Sequence, residues 1–327
     1  MKSLILVFFL LFLLICDAFS QKINGQVFDQ ETDSIIPFAS VYFDNSFNGA
    51  VTHLDGKFSL EIGNNEGQEI VISCLGYEST FLTSYDHSKF YKIYLTPVSF
   101  VLDELTVKGG DIYRRQKEKL FKREFLGDTP NGKNCRILNI DDVNLLYDSV
   151  NYKLKASSNT PLQIVNIRLG YQIKYYLNEF YASKNELYIE GFSIFKEDET
   201  LQLKEKTKQK FLRRRKSAYL GSRMHFIRAL WNGQLKMEGF KVRNLNSSDS
   251  VFLENLVENE NEVKFLNPEF PLKVNYKLNT SILKFKNKSK VFIKENGFFD
   301  PKNVIWNGDM SRARIGDLLP YEYESTP

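Results

Sequence analysis

Few residues in this 327-residue chain have the types and spacing that chemistry requires. The three histidines, His53, His87 and His225, are isolated from one another, and no HxxE or HExxH pair occurs. The helical arrangement of two imidazoles and a carboxylate that holds a hydrolytic zinc is therefore absent. Cys16, Cys74 and Cys135 include no CxxC pair and no Cys/His cluster at metal spacing. Asp141 and Asp142 are adjacent carboxylates, but neighbours in a strand face opposite ways and do not converge as acid and base. His225 lies between Met224 and Phe226 in an apolar helical stretch, where a packed, hydrogen-bonded imidazole is expected. No G-x-S-x-G nucleophile elbow accompanies it. A hydrolase would need a site assembled from residues distant in sequence. No glycine-rich phosphate loop is present, so the sequence calls for no cofactor.

The densest chemical signal is a charge run. Lys204, Lys206, Lys208, Lys210, Arg213, Arg214, Arg215 and Lys216 face a single acid, Glu205. One reading is a surface for an anionic partner, such as lipid headgroups or an acidic polysaccharide, with peripheral membrane association. The other is a solvated helix face whose buried side is Phe211-Leu212 and Tyr219-Leu220. The whole chain is near balance, with 44 basic and 40 acidic residues and a net charge of +4. That gives no reason to expect nucleic acid. Trp306, in an aromatic stretch at 297–308, is a candidate for ligand stacking or a core lid.

These residues need elements to hold them. The composition, with 27 Phe and 17 Tyr and 43% hydrophobic residues, supports a buried core and favours strands. Residues 1–20 read as a secretory signal peptide: Lys2, an apolar stretch over 4–15, then Ala18-Phe19-Ser20 before the cleavage point. That stretch is about a dozen residues, short of the roughly 20 that span a membrane. Cleavage leaves Cys74 and Cys135, either paired in an oxidising compartment or as separate buried thiols. Short strands with turn signals at sandwich spacing follow over 22–95, with Asp55-Gly56 as a hairpin turn. Residues 111–126 read as a connector helix capped by Asp111. Strand patterns return over 135–195, as a meandering antiparallel sheet. Ser222 then caps a short helix carrying Met224, Ile227 and Trp231, and strands resume after Gly239. The C-terminal tail is a frayed or docking end.

Four segments carry a family resemblance. They are Ile23-Asn24-Gly25-Gln26-Val27, Ile36-Pro37-Phe38-Ala39-Ser40-Val41, Thr52-His53-Leu54-Asp55-Gly56-Lys57-Phe58 and Ile72-Ser73-Cys74-Leu75-Gly76-Tyr77. In this order they resemble the carboxypeptidase-regulatory-like domain, a transthyretin-type β-sandwich frequent in bacterial outer-membrane receptors and envelope proteins. The resemblance implies a non-catalytic module without zinc ligands. It gives Asp55, Gly56, Phe58, Gly76 and Tyr77 structural roles: a turn, core filling and a bend. The segment 102–109 is similar to one that leads to the plug in TonB-dependent receptors, but too little chain follows Gly110 for a plug and a large barrel. It is read as a last strand or linker. The pattern R-x-x-A-Y-x-G-S-x-x-H-F over 215–226 is similar to a stretch that follows this sandwich in other envelope proteins.

The expected protein is mostly β. A signal peptide (1–20) precedes a seven-stranded transthyretin-like sandwich (21–98), a linker and connector helix (99–134), and an α+β domain rich in antiparallel strands (135–327). The expected function is that of an exported, non-enzymatic structural or interaction protein, in the periplasm, on the outer membrane or at the cell surface. Its partner would be an envelope protein or polysaccharide. Carbohydrate or anionic-polymer binding and an unrecognised hydrolase site are the alternatives.

Overall fold

The computed structural model describes residues 21–74, 76–97, 111–184, 186–201, 204–247, 256–260, 263–266, 270–286, 290–299 and 304–325. The expected signal peptide, the 102–109 segment and an expected strand at 250–253 lie outside the described residues. The chain divides into two compact units, Met1–Phe43 with Asn48–Ser99, and Asp44–Phe47 with Phe100–Pro327.

The first unit is a β-sandwich. Its strands are β1 (Lys22–Asp29), β2 (Ser40–Phe43), β3 (Gly49–Val51), β4 (Lys57–Glu61), β5 (Ile70–Ser73), β6 (Thr80–Leu82) and β7 (Phe90–Leu95). They form two sheets, in the orders β4-β1-β7 and β3-β2-β5-β6. Strand β1 pairs antiparallel with β4 and parallel with β7, joining the first and last strands of the unit. Inward residues alternate along β1, so Ile23 and Val27 enter a core shared with Phe58, Leu60, Val41, Ile70 and Ile72. Phe58 and Ile72 thus fill the sandwich as expected. At the hairpin turn Gly56 has φ of 70°, and Asp55 Oδ1 accepts the Lys57 N–H at 3.0 Å. Gly56 supplies the left-handed conformation that other residues adopt only with strain. Gly76 has φ of 86°. Beside it the Tyr77 hydroxyl donates to Asp29 Oδ2 at 2.7 Å, and this bond is the largest cause that pushes the phenol up to about 12.

The second unit begins with helix α1 (Asp111–Leu126) and a single turn, α2 (Pro130–Lys133). Six strands follow: β8 (Cys135–Ile137), β9 (Val143–Asp148), β10 (Lys153–Ser158), β11 (Leu162–Asn166), β12 (Tyr171–Ala182) and β13 (Leu187–Glu197). The sheet is not a simple meander. Strand β12 is long enough to pair β11 along its first half and β10 at its end, while β13 runs along its other edge. Helix α1 does more than connect. Phe121, Phe125 and Leu126 recur on one face and enter the core under this sheet. Phe121 stacks on Phe125 with centroids 5.0 Å apart, and Phe125 meets Tyr175 edge-on at 5.1 Å.

Helices α3 (Glu205–Tyr219) and α4 (Arg223–Trp231) come next. After them, β14 (Phe240–Asn244), β15 (Val257–Glu260), β16 (Val263–Leu266), β17 (Leu272–Tyr276), β18 (Asn279–Phe285), β19 (Val291–Ile293) and β20 (Val304–Gly308) form sheets in the orders β14-β17-β18-β20 and β15-β16-β19. The chain then turns through α5 (Asp309–Arg312). Strand β20 lies in the stretch read as an aromatic loop; its pairing with β18 comes from distant chain, which local pattern does not report. Ser222 caps α4 through its side chain, as expected. Phe226, Ile227, Ala229 and Leu230 of that helix enter a second core with the last strands. The C-terminal tail is docked: Leu319 and Tyr323 are buried in the first core, and Arg228 donates to the carbonyls of Tyr321 and Tyr323.

Truncating a large aromatic ring in such a core leaves a cavity and costs about 3–5 kcal/mol. Phe125→Ala is expected to lower the unfolding free energy of the full chain, read from its urea curve, by an amount in that range, with a lower midpoint. A midpoint equal to wild type would show that α1 does not contribute to the core.

Candidate functional site

Helix α3 carries the charge run, and its periodicity sorts the eight cations. Phe211, Arg215 and Tyr219 recur every four residues and form the buried stripe. Lys204, Lys206, Lys208, Lys210 and Arg213 are exposed, while Arg214 and Lys216 are half-buried. Arg215 is the correction to the expected anion surface. It is 6% exposed. Its Nε donates to the Leu169 carbonyl at 2.8 Å, Nη1 to Glu197 Oε1 at 2.6 Å and Nη2 to the Gly170 carbonyl at 3.3 Å. The guanidinium also lies 3.9 Å from the centre of the Tyr171 ring. All three guanidinium nitrogens are thus committed to the protein itself.

Three of the other cations, Lys210, Arg213 and Arg214, line an open cleft of about 720 Å³. Arg168, from the turn between β11 and β12, joins them there. Arg312 of α5 and the carboxylates of Asp309 and Asp317 complete its charged lining. Lys204, Lys206, Lys208 and Lys216 are not part of it. Arg214 Nη1 donates to the Arg168 carbonyl at 3.3 Å. Among the described residues, Arg168, Arg213 and Arg214 form no ion pair with a carboxylate, whereas Arg312 stands 3.9 Å from Asp128. Burial lowers the Arg214 pKa first, and the neighbouring charges of Arg168 and Arg213 lower it further. Like charges gathered this way raise the free energy of the empty cleft, and an anion would offset that.

The cleft wall is built by close backbone approach. A side chain at Gly132 would place Cβ 2.5 Å from the Gly127 carbonyl oxygen, and one at Gly316 would meet Gly132 Cα at 2.5 Å. Gly132 thus lets α2 fold back on the end of α1, and Gly316 lets the 315–317 turn touch α2. That contact sets Asp317 against Thr129 and Asn131, whose side chains donate to it at 2.8 and 3.0 Å. Burial raises the Asp317 pKa, with these two bonds acting the other way. Asn166, fully buried, accepts the N–H groups of Arg168 and Leu169 and donates to the Gly316 carbonyl at 2.8 Å. The sequence reading missed Arg168, Asn131, Asp317 and Asn166. They lie in separate turns, and only the Asn166–Gly170 turn signal marks any of them locally.

The other candidates do not assemble. His225 Nδ1 accepts the Gly221 N–H at 3.0 Å, so the neutral ring's proton is on Nε2, which donates to Glu238 at 2.9 Å. Both ring nitrogens are used in packing, between Tyr219, Phe240 and Tyr276. Asp141 and Asp142 fall in a 3-10 turn, not a strand, and both are exposed. Trp231 and Trp306 are half-buried and pack against the second core, and Lys264 lies over the Trp231 ring. Cys74 and Cys135 are not joined in a disulfide, and burial pushes Cys135 up to about 12. Among the described residues no three His, Cys, Asp or Glu side chains stand where they could hold a metal ion.

Two measurements test these placements. Arg215→Gln strips donors from two buried carbonyls and from Glu197, and breaking a buried pair costs about 3–5 kcal/mol. Urea unfolding is expected to show a loss toward the low end of that range, because Glu197 is half-exposed. Arg213→Gln on the exposed face should stay within about 0.5 kcal/mol of wild type. Equal effects would contradict the buried stripe. Burial holds the His225 pKa below its usual 6.5, despite the opposing bond to Glu238. The unfolded imidazole therefore takes up a proton first as pH falls. Stability present above about 6.5 is lost as pH drops toward the lower folded value. In His225→Phe this part of the pH dependence should vanish; an unchanged slope between pH 7 and 5 would rule it out.

Comparison with known proteins bears on the first unit. The family model described as CarboxypepD_reg-like domain matches residues 23–107. No curated protein matches the chain. The matched span includes all seven strands of the sandwich except its first residue, Lys22, and ends short of α1. Residues 23–107 of this chain are therefore a CarboxypepD_reg-like domain.

Proposed function

We propose that this chain is a non-catalytic binding protein of the bacterial cell envelope. In this reading its CarboxypepD_reg-like domain is an interaction module, and its second unit holds an anionic envelope polymer in the arginine cleft. The observation that carries the reading is the convergence of Arg168, Arg213 and Arg214 without a carboxylate partner among the described residues. Structural arginines of this protein look different: Arg215 is buried and held by Glu197, two carbonyls and a ring. An open cleft suits a chain-like ligand, which crosses the site without being enclosed. The leader at 1–20 supports export, and the non-catalytic reading is supported by the engagement of both His225 ring nitrogens.

Retention on immobilised dextran sulfate tests this. The full chain is expected to bind and to elute with salt, because exposed charge contacts are screened. The triple variant Arg168→Gln, Arg213→Gln, Arg214→Gln should elute at clearly lower salt. Changing Lys204, Lys206 and Lys208 to Gln removes the same charge from the other end of α3 and should shift elution less. If the lysine variant shifts as much as the arginine variant, binding reflects net charge and the cleft reading falls.

A further inference from the structure

The cleft does more than collect positive charge; one of its arginines is aimed. Asp317 accepts the Asn131 Nδ2–H, which dictates which way the amide faces. The atom left for Arg168 is Asn131 Oδ1, and Arg168 Nε donates to it at 3.1 Å. A neutral amide thus orients the guanidinium without neutralising it. Among the described residues neither Nη group of Arg168 has a partner, and Arg213 has none at all. Arg214 gives one N–H to a carbonyl and keeps the rest. The Asp317 carboxylate, whose bonds go to Thr129 and Asn131, is kept one residue removed from Arg168.

The number and kind of these donors narrow the ligand. One carboxylate has a single charge and two oxygens, and a single bidentate arginine satisfies it. A phosphomonoester has a charge of about −1.5 to −2 at neutral pH and three strong acceptor oxygens in a tetrahedral array. Three guanidinium groups from two elements, with unused forks and no carboxylate ion-paired to them among the described residues, match the second. We infer, building on the anion-binding reading above, that this cleft is a receptor for a phosphoryl group, with Arg168, Arg213 and Arg214 as its ligands and Asn131 and Asp317 as positioning residues for Arg168. The phosphoryl group is part of a phosphorylated saccharide or of a lipid headgroup, since both present the same oxygens.

Calorimetric titration of the full chain with glucose 6-phosphate and with glucuronate separates the two anion chemistries on one sugar frame. Co-sedimentation with phosphatidylcholine vesicles, with and without phosphatidic acid, supplies the lipid arm. The phosphorylated probe, sugar or lipid, is expected to bind at least about tenfold more tightly than glucuronate, the difference of one charge-assisted hydrogen bond. Binding to the sugar phosphate identifies a soluble source, and binding to phosphatidic acid vesicles alone identifies a lipid one. Asn131→Ala leaves the net charge unchanged. It should weaken phosphate binding about tenfold while retention on dextran sulfate stays at the wild-type salt. A merely structural role would lower both together or neither. Glucuronate binding as tight as the phosphorylated probe overturns the phosphoryl assignment and leaves the polyanion reading standing. Failure of the wild-type chain to bind dextran sulfate removes both. Wild-type phosphate affinity in Asn131→Ala overturns the positioning role.

Discussion

The buried guanidinium of Arg215 organises the second unit. A charge taken out of water costs several kcal/mol unless it is paired and its donors are satisfied. Here two carbonyls of the Leu169-Gly170 turn, the Glu197 carboxylate and the face of Tyr171 meet those demands. The partners come from the β11–β12 turn, β12 and β13, so satisfying one side chain fixes α3 against one end of the six-stranded sheet, where Tyr171 and Glu197 are cross-strand partners. The rotation of α3 about its own axis follows. With 211, 215 and 219 held inward, Lys210, Arg213 and Arg214 must project from the other side, where the cleft is.

The corner that follows extends the same logic. Tyr219 ends α3 in the first core, and Phe226 of α4 lies in the second. Between them Gly221 has φ of 79°, its N–H caps the His225 ring, and Ser222 caps the helix. The pattern over 215–226 is thus a structural device. Its arginine, tyrosine, glycine, serine and histidine hold two hydrophobic cores in register within this unit. Histidine suits the place because it is both a donor and an acceptor on a flat ring that packs among aromatics.

Around this scaffold the cleft is left electrostatically unbalanced. Most cations of the protein are paired or solvated, and the surface pairs contribute little. Arg168 and Arg214 differ because neutral groups orient them, the Asn131 amide and the Arg168 carbonyl, and Arg213 lines the same cleft without a partner among the described residues. The protein accepts the repulsion where an incoming anion would relieve it. The CarboxypepD_reg-like domain shows the opposite economy. Its ionisable groups serve turns: Asp29 caps Glu31 and Thr32 and receives Tyr77, and Asp55 caps Lys57.

Local chemistry sufficed for the sandwich and the helices. Period-2 alternation, Asp55-Gly56 and Gly76 state the first unit's turns and inward faces directly, because each depends on neighbours in the chain. Ser222 marks a helix start for the same reason. The sequence also showed that α3 is basic. It did not show that Arg215 points inward, although the spacing from Phe211 to Tyr219 allows it, since a charged residue on an apolar stripe is read by default as solvated. Only the tertiary structure supplied the buried partners at 169, 170 and 197 that make the inward rotamer favourable. It alone brought Asn131, Arg168 and Asp317 together, residues separated by up to 186 positions. Hydrogen bonds and like-charge crowding act over a few ångströms of space, and no local spacing records which distant turns the fold will bring that close.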